Sequence, residues 1–206
     1  MATITKFYGE VLHRKIDLSH LYPKRKEHKL PKFLTKDEVK RILDATENLK
    51  HKTILTTIYS CGLRLSEAIG IQISDVKSKE NLLLIKQSKG NKDRIVPLSQ
   101  KLVDILRDYY REYKPKLFLF EGQTGGQYSP RSVQQILKNS LKKAKIYSPA
   151  TVHTLRHSYA THLLENGTDI RIIKELPRHN NIKTTEIYTH ITDVSKLCVK
   201  SPLDFL

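Results

Sequence analysis

Apolar residues recur at helical spacing along most of the chain, which predicts a mainly helical protein. Near the N-terminus they occupy positions 4, 7, 8, 11 and 12, which form one face of a helix. A short helix cannot bury such a face by itself, so this segment needs an apolar partner. Thr35 is followed three residues later by Glu38, the spacing of a capping box, and a helix is predicted to begin there. Later helices are predicted over residues 51–60, 65–69, 100–113 after a cap at Ser99, 130–145 with Pro130 at its first position, 151–165, 169–176 and 184–189.

Two segments have the pattern of strands instead. Residues 82–86 and 93–97 are predicted to pair as a hairpin, joined by a turn through Lys89, Gly90 and Asn91. The predicted fold class is therefore α+β, mainly helical, with a small antiparallel hairpin or sheet.

The charge of the chain narrows the class of partner. Among 206 residues there are 37 lysines and arginines against 21 aspartates and glutamates, a formal net charge of +16. Such an excess favours a polyanionic partner, because each neutralised phosphate releases condensed counterions. The alternative is a basic protein without a specific role on nucleic acid.

Composition also bears on cellular location. No apolar stretch approaches the roughly 20 residues that a membrane span requires, and the N-terminus lacks the pattern of a secretory signal. Cys61 and Cys198 lie far apart and match no metal-ligand spacing, so two reduced thiols are expected rather than a disulfide. We therefore expect a cytoplasmic protein that does not associate with membranes.

Two segments are candidates for contacts with a phosphate backbone. Residues 22–32 are densely basic and contain Pro23 and Pro31, which predicts an extended linker lying along the phosphates; a solvated loop is the alternative. The predicted helix over residues 130–145 is also rich in lysine, with a solvated basic face as the alternative. The candidate binding residues are Lys24, Arg25, Lys26, Lys92, Arg131 and Lys142, and Lys138, Lys143 and Lys145 accompany the last two on their helix.

Three separated segments hold groups suited to phosphate chemistry. Arg64 lies just past a glycine break, at the predicted start of a helix. His153 and Arg156 are three residues apart, so on a helix they share a face and can address one phosphate. His179 precedes the segment 183–190, which contains Tyr188. Taken singly, each of these residue types is more often structural, and it is their occurrence together and in this order that points to a catalytic site.

In these segments the sequence resembles the tyrosine recombinase (phage-type integrase) family, which includes Xer-like and integron integrases. The resemblance runs from about Phe33 to the end of the chain. The stretches HTLRHSYATHLLENGTDI and KTTEIYTH are typical of the family, and the matching segments are residues 61–70, 87–98, 153–166 and 183–190.

The resemblance implies a role for each matching residue. Arg64 and Arg156 would clamp the scissile phosphate, a task that guanidinium groups suit because they match phosphate oxygens and stay charged. Tyr188 would attack the phosphorus, leaving a 3′-phosphotyrosyl bond and a free 5′-hydroxyl. The implied catalytic set is Arg64, Lys89, His153, Arg156, His179 and Tyr188, with Glu67 as an orienting group and Lys92 as a second candidate for the role of Lys89.

In this set, His153 would accept the tyrosine proton or hydrogen-bond to the phosphate, since an imidazole titrates near neutrality. His179 would be a second histidine on the phosphate, and Lys89 would protonate the leaving 5′ oxygen. The family's chemistry needs no metal or other cofactor. Double-stranded DNA is the implied partner, bound by a homo-oligomer, a tetramer, whose C-terminal tail over about 191–206 docks on a neighbouring subunit; packing of the tail on its own chain is the alternative.

The chain departs from the family pattern at two places. Family members usually carry Leu-Gly-His where this chain has Pro177, Arg178 and His179. A non-glycine residue in a left-handed cap costs about 1 kcal/mol, so His179 is expected to be held less firmly. The segment that precedes the linker is also short. Residues 1–20 are therefore predicted to be the remaining helix of a truncated core-binding domain, residues 21–32 a basic linker, and residues 33–206 the catalytic domain.

The resemblance thus predicts a site-specific recombinase that cleaves and rejoins DNA. Two alternatives stay open at this point. One is strand cleavage and resealing in the manner of a type IB topoisomerase, without exchange of partners. The other is a catalytically weakened or inactive DNA-binding remnant, which the Pro177-Arg178 step and the short N-terminal segment favour and the complete catalytic set disfavours.

Overall fold

A computed structural model of the protein describes residues 2–13, 33–88, 92–167 and 202–205. The chain divides into two compact units, Met1–Leu30 and Pro31–Leu206. In the first unit, helix α1 covers Ala2–Glu10. Phe7 in this helix, and Val11 and Leu12 directly after it, are exposed, as expected for a helix too short to bury its own apolar face.

The second unit is mainly helical, which confirms the predicted fold class. Among the described helices, none has both the length and the apolar character needed to cross a membrane. The elements are α2 (Lys36–Asp44), α3 (Leu49–Cys61), α4 (Leu65–Gly70), a short 3-10 helix (Ile73–Asp75), β1 (Val76–Lys77), β2 (Leu82–Ser88), β3 (Lys92–Pro97), α5 (Gln100–Tyr113), α6 (Pro130–Lys143), α7 (Val152–Glu165) and a second short 3-10 helix (Pro202–Phe205).

Helix α3 lies at the centre of this unit. Every residue from Thr53 to Cys61 is buried, because the helix is packed by α2, α4, α5, α6 and α7. Two of its three threonines satisfy their hydroxyls within the helix: Thr53 donates to the Leu49 carbonyl and Thr57 to the Thr53 carbonyl. A helix without a polar face therefore lies inside the domain rather than at its surface.

The sheet has three antiparallel strands within the described residues, in the order β1-β2-β3. Strands β2 and β3 form the predicted hairpin, with Leu83 opposite Val96 and Ile85 opposite Arg94, and the register shifts between Ile85 and Ser88. Strand β1 was not predicted, since two residues are too few to show an alternating pattern.

The starts of α2, α5 and α6 lie where the sequence predicts them, whereas α3 begins at Leu49, two residues before its predicted start. The Thr35 hydroxyl accepts from the Glu38 backbone N–H at 3.2 Å, and the Glu38 carboxylate accepts from the Thr35 N–H at 2.8 Å, which completes the capping box. Ser99 caps α5, and Pro130 occupies the first turn of α6. The helices predicted over residues 169–176 and 184–189 lie outside the described residues.

The short helix Pro202–Phe205 packs on the unit's own core. It contacts α3, α5 and α7, and Leu203 is buried among their apolar side chains. The Lys101 ammonium donates to the carbonyls of Leu203 and Asp204, each at 3.4 Å. In the structure this part of the tail packs on its own chain, and docking of the tail on a neighbouring subunit stays a prediction.

Candidate active site

Arg64 is placed by the break between two helices. Helix α3 ends at Gly62, which has a left-handed backbone with φ 57°. A side chain on Gly62 would collide with the Tyr159 ring, since an added Cβ would lie 2.3 Å from a ring carbon. Arg64 then forms the N-cap of α4, and its backbone N–H donates to the Glu67 carboxylate at 2.8 Å. The glycine break that the sequence suggested is thus what brings Arg64 to the start of a helix.

Arg156 reaches the same place from α7. The helix begins at Thr151, whose hydroxyl accepts from the Thr154 N–H while the Thr154 hydroxyl accepts from the Thr151 N–H. From the second turn, the Arg156 guanidinium donates to the carbonyl of Gly62. Arg64 and Arg156 therefore both lie beside the Gly62 turn.

Glu67 joins these two arginines to a third. Its Oε1 accepts from Arg64 Nη1 at 2.7 Å, and its Oε2 accepts from Arg94 Nη2 at 2.7 Å. Arg156 Nη1 lies farther from Oε2, at 3.7 Å. One buried carboxylate thus faces three guanidinium groups among the described residues, and the expected orienting role of Glu67 has a structural basis.

The titration of these groups follows from their mutual charge. Burial alone would favour the neutral acid, but the Arg94 charge and the hydrogen bonds from Arg64 and Arg94 hold the pKa of Glu67 below its ordinary value. Burial, and then the positive charges of Arg94 and Arg64, lower the pKa of Arg156 to about 10. Both groups are therefore charged at neutral pH, and the cluster of one carboxylate and three guanidiniums is positive.

Arg94 was missed by the sequence reasoning. It lies on β3, where Arg94 and Val96 are buried and Asp93, directly before Arg94, is exposed. An arginine at an inward position of a predicted strand was the available signal, because a buried charge needs a partner. Its partner, Glu67, is 27 residues away in sequence and cannot be identified from spacing.

His153 lies on the first turn of α7 and is exposed. Its ring lies 4.8 Å, centroid to centroid, from that of His157 one turn later. Burial, then the neighbouring charges of His153 and Arg156, lower the pKa of His157. His153 and Arg156 both lie on α7, and their joint contact with one phosphate stays a prediction.

A groove of about 1000 Å³ runs beside His153, between α4, α6 and the start of α7. Leu63 and Leu65 line one side of the groove, and Lys138 and Lys142 of α6 line another. Of the candidate binding residues, Lys142 thus borders the groove that contains His153. Arg131 is exposed at the start of α6.

The remaining predicted site residues lie outside the described structure. They are Lys24, Arg25, Lys26, Lys89, His179 and Tyr188, together with the Pro177-Arg178 step, and Lys92 begins β3 with a side chain that is not described. The structure therefore brings together Arg64, Glu67 and Arg156, with His153 on the same helix as Arg156.

Comparisons with known proteins agree with this geometry. The model of the phage integrase family matches residues 32–194. A putative integrase/recombinase of Sinorhizobium fredii is 38% identical over 208 residues, which cover 100% of this chain and 68% of that protein. The tyrosine recombinase XerA of Pyrococcus horikoshii is 42% identical over 167 residues, 79% of this chain and 58% of that protein.

Solved structures give the same result. The crystal structure of XerA recombinase superposes with a TM-score of 0.69 at 30% identity, over 94% of this chain and 71% of that one. The XerH site-specific recombinase, in a post-cleavage complex with its palindromic difH substrate, shares the fold, with a TM-score of 0.67 at 24% identity over 85% of this chain and 54% of that one. The chain belongs to the phage integrase family and carries the catalytic domain of a tyrosine recombinase.

Proposed function

We propose that the chain is a site-specific DNA recombinase that cleaves and rejoins DNA through a 3′-phosphotyrosyl intermediate. The observation that carries this proposal is the meeting of Arg64 and Arg156 at one buried carboxylate beside the Gly62 turn. Two guanidiniums held together in this way match the oxygens of one phosphate and stay charged throughout the reaction.

In the proposed reaction, Tyr188 is the nucleophile. Its phenolic oxygen forms a bond to phosphorus while the bond from phosphorus to the 5′ oxygen breaks. The tyrosine proton passes to a base, for which His153 is the candidate, and Lys89 supplies a proton to the leaving 5′ oxygen. Attack by the 5′-hydroxyl of another strand on the phosphotyrosyl bond reverses these transfers and joins the new strand. The bond energy is conserved, so no high-energy cofactor is consumed.

The arginines act on charge that grows during the reaction. A pentacoordinate phosphorus carries more negative charge on its non-bridging oxygens than the starting diester, and preorganised cations stabilise that difference. Arg64, Arg156, His153, His179 and Lys89 supply this positive charge in the proposal, and the reaction is accordingly proposed to be metal-independent.

Double-stranded DNA is the proposed partner, and the charge of +16 supports it. Lys142 and Arg131 of α6 and the basic residues Lys24, Arg25 and Lys26 are proposed to contact its backbone, and the cytoplasm is the proposed place of action. A homo-oligomer on DNA is also proposed. Any exchange of the tail between subunits would involve residues 191–201, or else require Leu203 to leave its own core.

Trapping of the covalent adduct tests the proposal. The chain is incubated with a radiolabelled pool of duplexes that have a randomised centre and a nick at a fixed position. After cleavage, the short strand segment between the cleavage position and the nick dissociates, which prevents rejoining and traps the covalent adduct. We expect a labelled protein band on a denaturing gel, with and without EDTA, and none with Tyr188→Phe.

The other outcomes decide between the alternatives. Absence of an adduct from the whole pool, with retained DNA binding, identifies an inactive DNA-binding remnant. An adduct that reseals its own strand but never joins a second duplex identifies topoisomerase-like activity. An adduct that forms only when Mg²⁺ is added contradicts metal independence.

A further inference from the structure

Arg94 holds a buried position that none of the implied catalytic roles explains. Only 4% of the residue is exposed, and the side chain points inward from β3 to Glu67. It has no route to DNA from this position. Its effect on the reaction must pass through the groups that it contacts.

The two oxygens of Glu67 are divided among their donors. Oε1 accepts from the Arg64 guanidinium, and Oε2 accepts from both the Arg64 backbone N–H and Arg94. Arg156 Nη1 stays 3.7 Å from Oε2, beyond ordinary hydrogen-bond length, and donates to the Gly62 carbonyl instead. The carboxylate is therefore saturated by Arg64 and Arg94, while Arg156 is near it but not bound to it.

We propose that Arg94 is a positioning residue for DNA cleavage, which occupies Glu67 Oε2 and so keeps the Arg156 guanidinium available for the scissile phosphate. The inference rests on the proposed recombinase function. Without Arg94, Arg156 is the guanidinium nearest to Oε2, among the described residues, that does not already donate to Glu67, and it needs to move by about 1 Å to form a hydrogen-bonded ion pair. A guanidinium paired with a buried carboxylate has lost both charge and donors that a phosphate would use.

The charge of the cluster changes in the same direction. One carboxylate and three guanidiniums carry two net positive charges, and loss of Arg94 leaves one. The remaining carboxylate charge then falls mainly on Arg156. Both effects weaken transition-state stabilisation more than DNA binding, because binding draws on the basic surface of the whole chain.

A purely structural role for Arg94 makes a different prediction. In that case its loss lowers stability and perturbs every function of the domain together, whether or not Glu67 is charged. In the positioning role, the defect depends on the Glu67 charge and appears at saturating DNA.

Single-turnover cleavage of a nicked duplex recovered from the adduct-forming pool separates the two roles. The variants are Arg94→Met, Arg94→Lys, Glu67→Gln and the double variant Arg94→Met/Glu67→Gln. Arg107→Met, which removes an exposed arginine from α5, is the matched control for loss of one positive charge. Rate constants at saturating DNA, dissociation constants for DNA and melting temperatures are measured for each.

We expect Arg94→Met to lower the cleavage rate constant about 100-fold while the dissociation constant changes little, since a misplacement of about 1 Å in a reacting group has this order of effect. Arg94→Lys keeps a charge near Oε2 and is expected to lose no more than about 10-fold. In the Glu67→Gln background, Arg94→Met is expected to cost less than about 3-fold, because the charge that captures Arg156 is gone.

Three results would overturn the inference. They are a wild-type rate in Arg94→Met, an equal loss in the two Glu67 backgrounds, and a loss that follows the DNA dissociation constant. If Arg94→Met does not fold, Arg94→Lys and the double variant compared with Glu67→Gln decide the question. Failure of the wild-type chain to form any adduct rejects the proposed function instead.

Discussion

At the scale of single residues, the site is organised by a carboxylate that does not touch the substrate in the proposed reaction. Glu67 fixes Arg64 through both its backbone N–H and its guanidinium. Arg94 also donates to the carboxylate, at Oε2, and its charge allows the group to be buried. The guanidiniums of Arg64 and Arg156, the proposed phosphate clamp, thus both lie close to this one carboxylate.

Gly62 is the second residue on which this arrangement depends, and Gly62→Ala is expected to lower the free energy of unfolding by about 3 kcal/mol. About 1 kcal/mol comes from the left-handed backbone, and the rest from the collision of the new methyl group with the Tyr159 ring. Urea denaturation followed by circular dichroism measures the change.

Gly125→Ala is the matched control for this substitution. Gly125 has the same kind of backbone, with φ 82°, but an added Cβ would meet nothing within 4 Å. It is expected to cost about 1 kcal/mol. Equal effects of the two substitutions would show that the Tyr159 contact contributes nothing.

Sequence reasoning singled out Arg64, His153 and Arg156 because they occur together, in the order of the family that the chain resembles, beside a glycine break or at a helical spacing. It missed Arg94 because the pairing with Glu67 depends on the register of β3 with β2 and on the packing of β2 against α4. Spacing along the chain carries no information on such a contact. A buried arginine on a strand is detectable, but the identity of its partner is not.

At the scale of elements, the helix starts were predicted well because caps are local chemistry. Thr35, Ser99 and Pro130 each act within one turn of their own position. Strand β1 was missed because its two residues pair only through contacts with β2. The ends of α6 and β2 differ from prediction by two residues, as expected where packing rather than a cap residue ends an element.

The caps of α5 and α6 offer a matched comparison. The Ser99 hydroxyl accepts from the Leu102 N–H at 3.2 Å, whereas Ser129, at the N-cap of α6, makes no side-chain capping bond. Ser99→Ala is therefore expected to lower the free energy of unfolding by about 1 kcal/mol, and Ser129→Ala by no more than a few tenths. Thermal denaturation of the two variants measures the difference, and a larger loss for Ser129→Ala would contradict the assignment of the caps.

At the scale of the whole second unit, α3 acts as the common core on which the other helices pack. The α+β class and its mainly helical character followed from periodicity, since amphipathic helices such as α5 show their buried face directly. The central place of α3 could not be predicted from periodicity, because a helix that is buried on every side has no alternation of apolar and polar faces.

The return of the chain to this core at Leu203 has a measurable consequence. Leu203 is 6% exposed, so Leu203→Ala is expected to lower the free energy of unfolding by about 2 kcal/mol through loss of buried apolar surface. Leu164→Ala, at a leucine that is 44% exposed, is the control and is expected to cost less than about 0.5 kcal/mol. Equal denaturation midpoints for wild type and Leu203→Ala would show that the segment does not stabilise the domain.

The three arginines near Glu67 become available at different times during synthesis of the chain, so their contacts form in a fixed order. A protein leaves the ribosome from its N-terminus, so Glu67 and Arg94 emerge together with the sheet, well before α7. The Glu67 carboxylate can pair with Arg94 at that stage, whereas the hydrogen bond from Arg156 to the Gly62 carbonyl forms only after α7 has been made. The proposed phosphate clamp is therefore completed only when α7 has been made, because a nascent chain that ends before this helix lacks Arg156.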